Sequence, residues 1–374
     1  MNKIIWISAA VLSVAACAKN EVIPVNSGEN QEITFNVAPK TKATTAFDKH
    51  FKFKAWAYYL PGTVKWDKKD GDNTTDPITP ATTPALYIDG AVISNTKPDG
   101  TDGIWKDKDN TYYWPKNGYL TFFAYSLKKD VLSFNGGEHP SSHFECYSST
   151  GITGQIDLDA DPNVDFLVAE IAKDKRFNED KTYSVKGVPT LFKHQLSWIV
   201  FNVKAGSYIG KTFNLKSIKF KNVSHQATYC QVPTSLNPGG FKPTTIAKKP
   251  DVVYMSTEQV IPTDKLTEVT KKEHWLYIPQ TFPDNATIEV VYSITTKVPE
   301  SDDVVETVTK TIQLNTLFKT VTDQKDTEFP GGWRMGKKYT INLTFTLDEI
   351  LWDPAVQDWE DVNIGTDTAP IIVG

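Results

Sequence analysis

Apolar and polar residues alternate with period two along most of this chain, and no stretch carries a convincing amphipathic helical period. Glu32-Ile33-Thr34-Phe35-Asn36-Val37 sets the pattern, which marks a half-buried β-strand. Phe51 to Tyr58, Leu120 to Tyr125, Trp198 to Val203, Leu215 to Phe220, Thr287 to Ile294 and Tyr339 to Leu347 repeat it. Clusters rich in Gly, Pro, Asn and Asp separate these segments, such as Asn135-Gly136-Gly137, Asn237-Pro238-Gly239-Gly240 and Pro330-Gly331-Gly332. Many short strands joined by such turns predict an all-β protein built of sandwiches or barrels.

The first residues break the pattern. Lys3 precedes an unbroken apolar or small-residue run, Ile4 to Ala16, which Cys17 closes. Thirteen residues span roughly 20 Å as a helix, short of the roughly 30 Å hydrocarbon core of a bilayer. The run therefore reads as a secretory signal peptide, 1–16, that takes no part in the fold. Val14-Ala15-Ala16-Cys17 resembles a bacterial lipobox, in which Cys17 becomes the lipidated first residue of the mature chain. A single acyl chain holds a protein to a membrane only marginally, whereas several hold it firmly.

The chain is too long for one small core, which predicts two domains. Two polar stretches, Trp66 to Pro84 and Lys173 to Lys186, read as loops, and a fresh strand begins near Val188. The expected organisation is a lipidated segment 17–43, an N-terminal sandwich 44–187, a C-terminal sandwich 188–359 and a tail 360–374.

Formal net charge is −5 and no block of Lys or Arg occurs, which argues against a nucleic-acid partner. Beyond Cys17, Cys146 and Cys230 remain; an oxidising compartment permits a disulfide between them, and sequence alone leaves their proximity open. His139, His143 and Cys146 mimic a metal-ligand spacing, but Pro140 opposes a helix that would align the imidazoles, so a solvated loop is expected and no metal. Asp157 to Asp165 places oxygens at alternate positions as calcium loops do. However, Pro162 and Val168 stand where such a loop needs Gly and Glu, so an acidic turn is the better reading. No nucleophile elbow, zinc-protease motif or phosphate-binding loop is present, and neither an enzyme nor a cofactor is expected. Trp66, Trp105 and Trp333, lying near loops, are the tryptophans expected at the surface for a glycan to stack on.

Several blocks together resemble the fimbrillin family, the type V pilins of Gram-negative anaerobes. They are Thr41-Lys42-Ala43; Tyr112-Tyr113-Trp114-Pro115 with the strand after it; Phe192 to Leu196 leading into Trp198 to Val203; Leu276-Tyr277-Ile278-Pro279-Gln280; Gly336 to Tyr339; and Ile350 to Trp359. Each is weak alone, but they occur in order behind a lipobox. The resemblance implies two consecutive transthyretin-like Greek-key β-sandwich domains, export to the outer membrane as a lipoprotein, and polymerisation with other pilin subunits into an adhesive surface fimbria. It also implies that a protease removes an N-terminal strand, here Ile33, Phe35 and Val37, and that a neighbour's C-terminal strand refills the groove. Arg176 and Arg334 are the only arginines, so maturation near the N-terminus has to follow a lysine, with Lys40 and Lys42 as candidates. If neither is cut, the chain stays a membrane-bound anchor or a non-polymerising lipoprotein. The tail carries apolar Val362, Ile364, Ile371 and Val373, which suit a donor strand; an edge strand of the chain's own second domain is the alternative. A non-polymerising surface lipoprotein that binds glycans or host ligands is the runner-up function.

Overall fold

The structure, a computed structural model, describes residues 32–37, 49–66, 83–98, 103–128, 142–160, 164–177, 187–233, 239–246, 251–270, 276–319 and 331–358. All seven alternating segments are strands. One short helix, α1 (Leu314–Lys319), lies among the described residues, and no described helix is long and apolar enough to cross a membrane.

The largest sheet has nine strands. In spatial order they are β10 (Val188–Pro189), β1 (Phe35–Asn36), β4 (Trp105–Asp107), β3 (Ala85–Asn95), β2 (Lys52–Leu60), β5 (Tyr119–Lys128), β8 (Asp165–Ala169) and β11 (Phe192–His194), with β9 (Ala172–Lys175) also on β5. Its two edges, β10 and β11, are separated in the chain only by Thr190 and Leu191. Three Cα steps cover at most about 11 Å, so the sheet has to roll until its edges meet. The roll encloses a core of Phe35, Phe53, Leu120, Phe122, Leu167, Val188 and Phe192.

The outer side of the roll is covered as well. A four-stranded sheet, β15 (Gly240–Ile246), β14 (Ser224–Cys230), β7 (Gly151–Asp157) and β6 (His143–Tyr147), packs over Trp56, Tyr58, Phe123, Tyr125, Phe166 and Val168. β2, β5 and β8 thus have two apolar faces. Leu120, Phe122 and Ala124 of β5 point inward, and Phe123, Tyr125 and Leu127 point outward into the second core.

A third core lies between two further sheets. One is β17 (Thr267–Glu268), β12 (Ser197–Ala205), β23 (Lys337–Phe345) and β24 (Ile350–Asp358), with β18 (Leu276–Tyr277) also on β12. The other is β16 (Asp251–Val260), β13 (Lys211–Lys221), β20 (Thr287–Thr296) and β21 (Val304–Gln313). A small pair, β19 (Gln280–Thr281) with β22 (Gly332–Trp333), closes its lower end.

The sheets do not divide at the boundary expected between 187 and 188. The strands on either side of the polar stretch, β9 and β10, belong to the same rolled sheet, and β11 continues it. The β14–β15 hairpin, from the second half of the sequence, pairs with β7 in the first half, Cys230 opposite Thr153 and Gln226 opposite Asp157. A polar stretch looks the same in sequence whether it links domains or strands of one sheet.

Other expectations also change. Cys146 pairs with Ile152 on one side of β7 and Cys230 with Thr153 on the other, so two strand spacings separate them. At about 4.8 Å per spacing this exceeds the roughly 7 Å that a disulfide spans. Adjacent positions on β7 also send their partners to opposite faces, and both thiols are free and buried. Trp66, Trp105 and Trp333 are 1, 7 and 1 % exposed. Their indoles fill cores at strand ends, so none offers a glycan a stacking surface.

Candidate functional site

β1 occupies a slot in the rolled sheet. It runs parallel to β10, with Phe35 opposite Val188, and antiparallel to β4, with Phe35 opposite Trp105. Backbone bonds beyond those ladders help hold it: the Ile33 N–H donates to Tyr112 O (2.7 Å), Val188 N–H to Thr34 O (2.7 Å) and Thr190 N–H to Asn36 O (2.9 Å). Pro189 falls between the two donors on β10, at the alternate position that needs no N–H toward β1.

Period-two geometry then sends Ile33 and Phe35 inward, where they are 3 and 4 % exposed. The Phe35 ring meets Phe53 and Phe122 edge-on, at 5.6 and 5.9 Å between centroids. Val37 is half-buried against the same core. At the entrance Lys106 Nζ pairs with Glu32 at 2.9 Å.

The Tyr112-Tyr113-Trp114 block forms the entrance wall. Tyr112 supplies the carbonyl for Ile33, Tyr113 bridges to Glu32, and Trp114 is buried edge-on against Phe122 at 5.8 Å. The Tyr87 hydroxyl donates to Tyr113 O from outside. Gly187 completes the floor, and sequence reading passed over it. It has a φ of 83°, and a Cβ there would lie 2.7 Å from the Phe35 carbonyl carbon and 2.9 Å from the Phe35 nitrogen. Only glycine admits both that backbone and that approach. The available signal was a glycine directly before the short apolar strand at Val188.

Cys17, Lys40, Lys42, Val362, Ile364, Ile371 and Val373 lie outside the described residues. His143 is exposed and Cys146 buried on opposite faces of β6, so they share no site, and no described group of three His, Cys, Asp or Glu is placed to hold a metal. The Asp157 carboxylate caps its own turn, accepting from the Asp159 and Ala160 N–H groups and from Gln226 Nε2. His194 is buried with Nδ1 2.8 Å from Asp165 Oδ2, a structural pair between the adjacent strands β11 and β8 of the rolled sheet. In the Leu276 to Gln280 block, the Gln280 amide accepts from Ser224 N–H and donates to Ser224 O, tying β14 to the base of the third core.

A model of the fimbrillin-like family matches residues 41–359. The chain belongs to that family. Among solved structures, a fimbrial protein from Bacteroides vulgatus is similar at 15 % identity, covering 88 % of this chain and 99 % of its own, with a TM-score of 0.59. The tip fimbrial protein Mfa3 from Porphyromonas gingivalis, solved with a C-terminal truncation, is similar at 9 % identity, covering 88 % and 100 %, with a TM-score of 0.36. No curated protein sequence matches the chain. The fimbrillin match begins at residue 41, so β1 lies outside it, whereas the walls of its slot lie inside.

Proposed function

We propose that this protein is a structural subunit of a surface fimbria that polymerises by strand exchange and supports adhesion. In this reading it reaches the outer membrane as a lipoprotein anchored through Cys17. Cleavage after Lys40 or Lys42 then cuts β1 from the rest of the chain. The C-terminal tail of a neighbouring subunit fills the vacated slot with apolar side chains drawn from Val362, Ile364, Ile371 and Val373.

The observation that carries the reading is β1 itself, an apolar strand seated between β10 and β4, with Lys40 and Lys42 between it and the next described residue, Lys49. Burying Ile33 and Phe35 contributes about 3–6 kcal/mol, and each backbone hydrogen bond to the slot adds roughly 0.5–1.5 kcal/mol. Ordering the six residues 32–37 costs about 6–12 kcal/mol. Gain and cost nearly cancel, so the chain connection matters: once it is cut, β1 loses the high effective concentration that keeps it seated. The empty slot would expose unpaired Val188 and Thr190 N–H groups beside an apolar trough, which an added strand repairs.

Changing Lys40 and Lys42 together to Gln is expected to leave β1 attached and to abolish polymers. The check is N-terminal sequencing of protein recovered from cells, alongside a gel of intact multimers. Multimers of unchanged length in that variant would overturn the proposal.

A further inference from the structure

The two ends of the molecule differ sharply in chemistry. One end consists of four turns at the far side of the third core, knit together by backbone bonds. Ala205 N–H donates to Pro262 O, Gly206 N–H to Phe345 O and Lys297 N–H to Gly210 O, each at 2.8 Å. Most of the large exposed apolar side chains among the described residues gather there, including Ile209, Leu266, Val298, Val304, Leu347 and Leu351, with Ile209 fully exposed. Around them stand exposed Asp264, Glu300, Asp302, Asp303, Asp348 and Glu349; among the described residues there, Lys265 and Lys297 are exposed and Lys204, Lys211 and Lys310 half-exposed, with Lys310 Nζ donating to Asp348 O at 3.0 Å.

The described residues of the opposite end, where β2 finishes and β5 begins, are mostly basic. Lys65 and Lys116 are exposed there, and Lys173, Lys175 and Arg176 are half-exposed, with Asp174 among them. Lys65 and Arg176 flank the Tyr119 ring at 5.2 and 5.5 Å, and Leu86 adds an exposed apolar side chain. The slot opens at this same end, because Glu32, the first described residue of the β1 segment, bridges to Tyr113 in its wall.

We propose that the acidic, apolar-tipped end of one copy docks onto the basic end of a second copy of this chain. This rests on the reading of the chain as a polymerising subunit and adds the surface through which neighbours meet. An apolar cluster of this kind marks an interaction surface, and its acidic ring disfavours an anionic membrane while complementing lysine. Because the two surfaces differ, the contact is heterologous and propagates as a filament rather than closing as a dimer.

Strand length agrees with this geometry. β24 runs from Ile350 at the acidic end back to Asp358, some 30 Å for nine residues. Residues 359–373, if fully extended, reach about 50 Å. Retracing β24 to the acidic end would leave roughly 20 Å, enough to carry Ile371 and Val373 into a slot that opens on the abutting end.

The test uses full-length chain processed in cells, with elongation followed by light scattering at low ionic strength. D302K/D303K and K65E/K116E are each expected to slow elongation about tenfold through lost electrostatic complementarity. The four-fold variant carrying both changes should recover to within about threefold of the unmodified rate, and 0.5 M salt should compress all the differences. Melting curves confirm that each variant is folded. Elongation of either reversed variant at the unmodified rate, or a combined variant as slow as its parents, overturns the docking contact and leaves strand exchange standing. Failure of the unmodified processed chain to elongate at all overturns both.

Discussion

At Gly187 a single hydrogen in place of a side chain decides whether β1 can lie flat in its slot. A methyl group there would meet the Phe35 and Thr34 backbone below 3 Å and would also force an L-residue into left-handed φ. Neither strain is relieved by a side-chain rotation, because the opposing atoms are backbone. Gly187→Ala is therefore expected to destabilise the chain by about 2–3 kcal/mol. The loss should concentrate in β1, so hydrogen exchange of the Thr190 and Val188 amides, which bond to it, should rise before that of β5. Uniform protection in the variant would show that Gly187 is not part of the slot. Gln280 shows the same economy: one amide side chain replaces a missing stretch of ladder beside Ser224.

At the scale of elements, tyrosine hydroxyls fasten the four-stranded sheet to its surroundings. Tyr58 on β2 donates to Cys146 O on β6 at 2.8 Å, and Tyr229 on β14 donates to Gln195 Oε1 at 3.0 Å. Burial pushes both phenols well above the ordinary value of 10.0, and it likewise raises the Cys146 thiol well above 9.0. A half-buried phenol on the rolled sheet, Tyr87, is pushed up to about 12 by the same cause. Each group is an acid whose folded-state pKa is raised, so its contribution to stability is complete below the unfolded value. That contribution is lost as pH climbs from the unfolded toward the folded value. Denaturant midpoints should accordingly be flat with respect to these groups up to about pH 8, begin to fall near pH 9 through the Cys146 thiol, and fall further between pH 10 and 12 through the phenols. Tyr58→Phe and Tyr229→Phe together should shallow that fall, and an unchanged slope would assign it elsewhere.

Across the whole molecule, the β14–β15 hairpin crosses from the second half of the sequence into a sheet with β6 and β7. The rolled sheet likewise closes only with β10 and β11. A fragment of residues 44–187 lacks all four strands, leaving the Phe144, Phe166 and Tyr125 cluster without Tyr229 and the roll without its seam. Expressed alone, it is expected to aggregate or remain unfolded, whereas the whole chain should melt in one cooperative transition. Dispersed amide resonances and a sharp melt from the fragment would contradict this.

Much of the molecule was legible in the sequence because strand alternation is local. Period two placed seven strands, identified Ile33 and Phe35 as the inward pair of β1, and gave an all-β class, since each depends only on neighbours along the chain. The ordered blocks from Thr41 to Trp359 pointed to the fimbrillin-like family for a related reason: they are short segments with fixed local roles, such as the wall at Tyr112 to Trp114. What the sequence left undecided depends on contacts between residues far apart. Alternation cannot say whether one face of a sheet is covered or two, so β2 and β5 read as half-buried although both of their faces are enclosed. It cannot pair β7 with β14 across some seventy residues, nor tell a polar loop within a sheet from a linker. It could not show that Trp66, Trp105 and Trp333 fill cores, or that Cys146 and Cys230 lie on opposite sides of β7. Those outcomes are set by how the sheets roll and stack, and only the tertiary structure decided them.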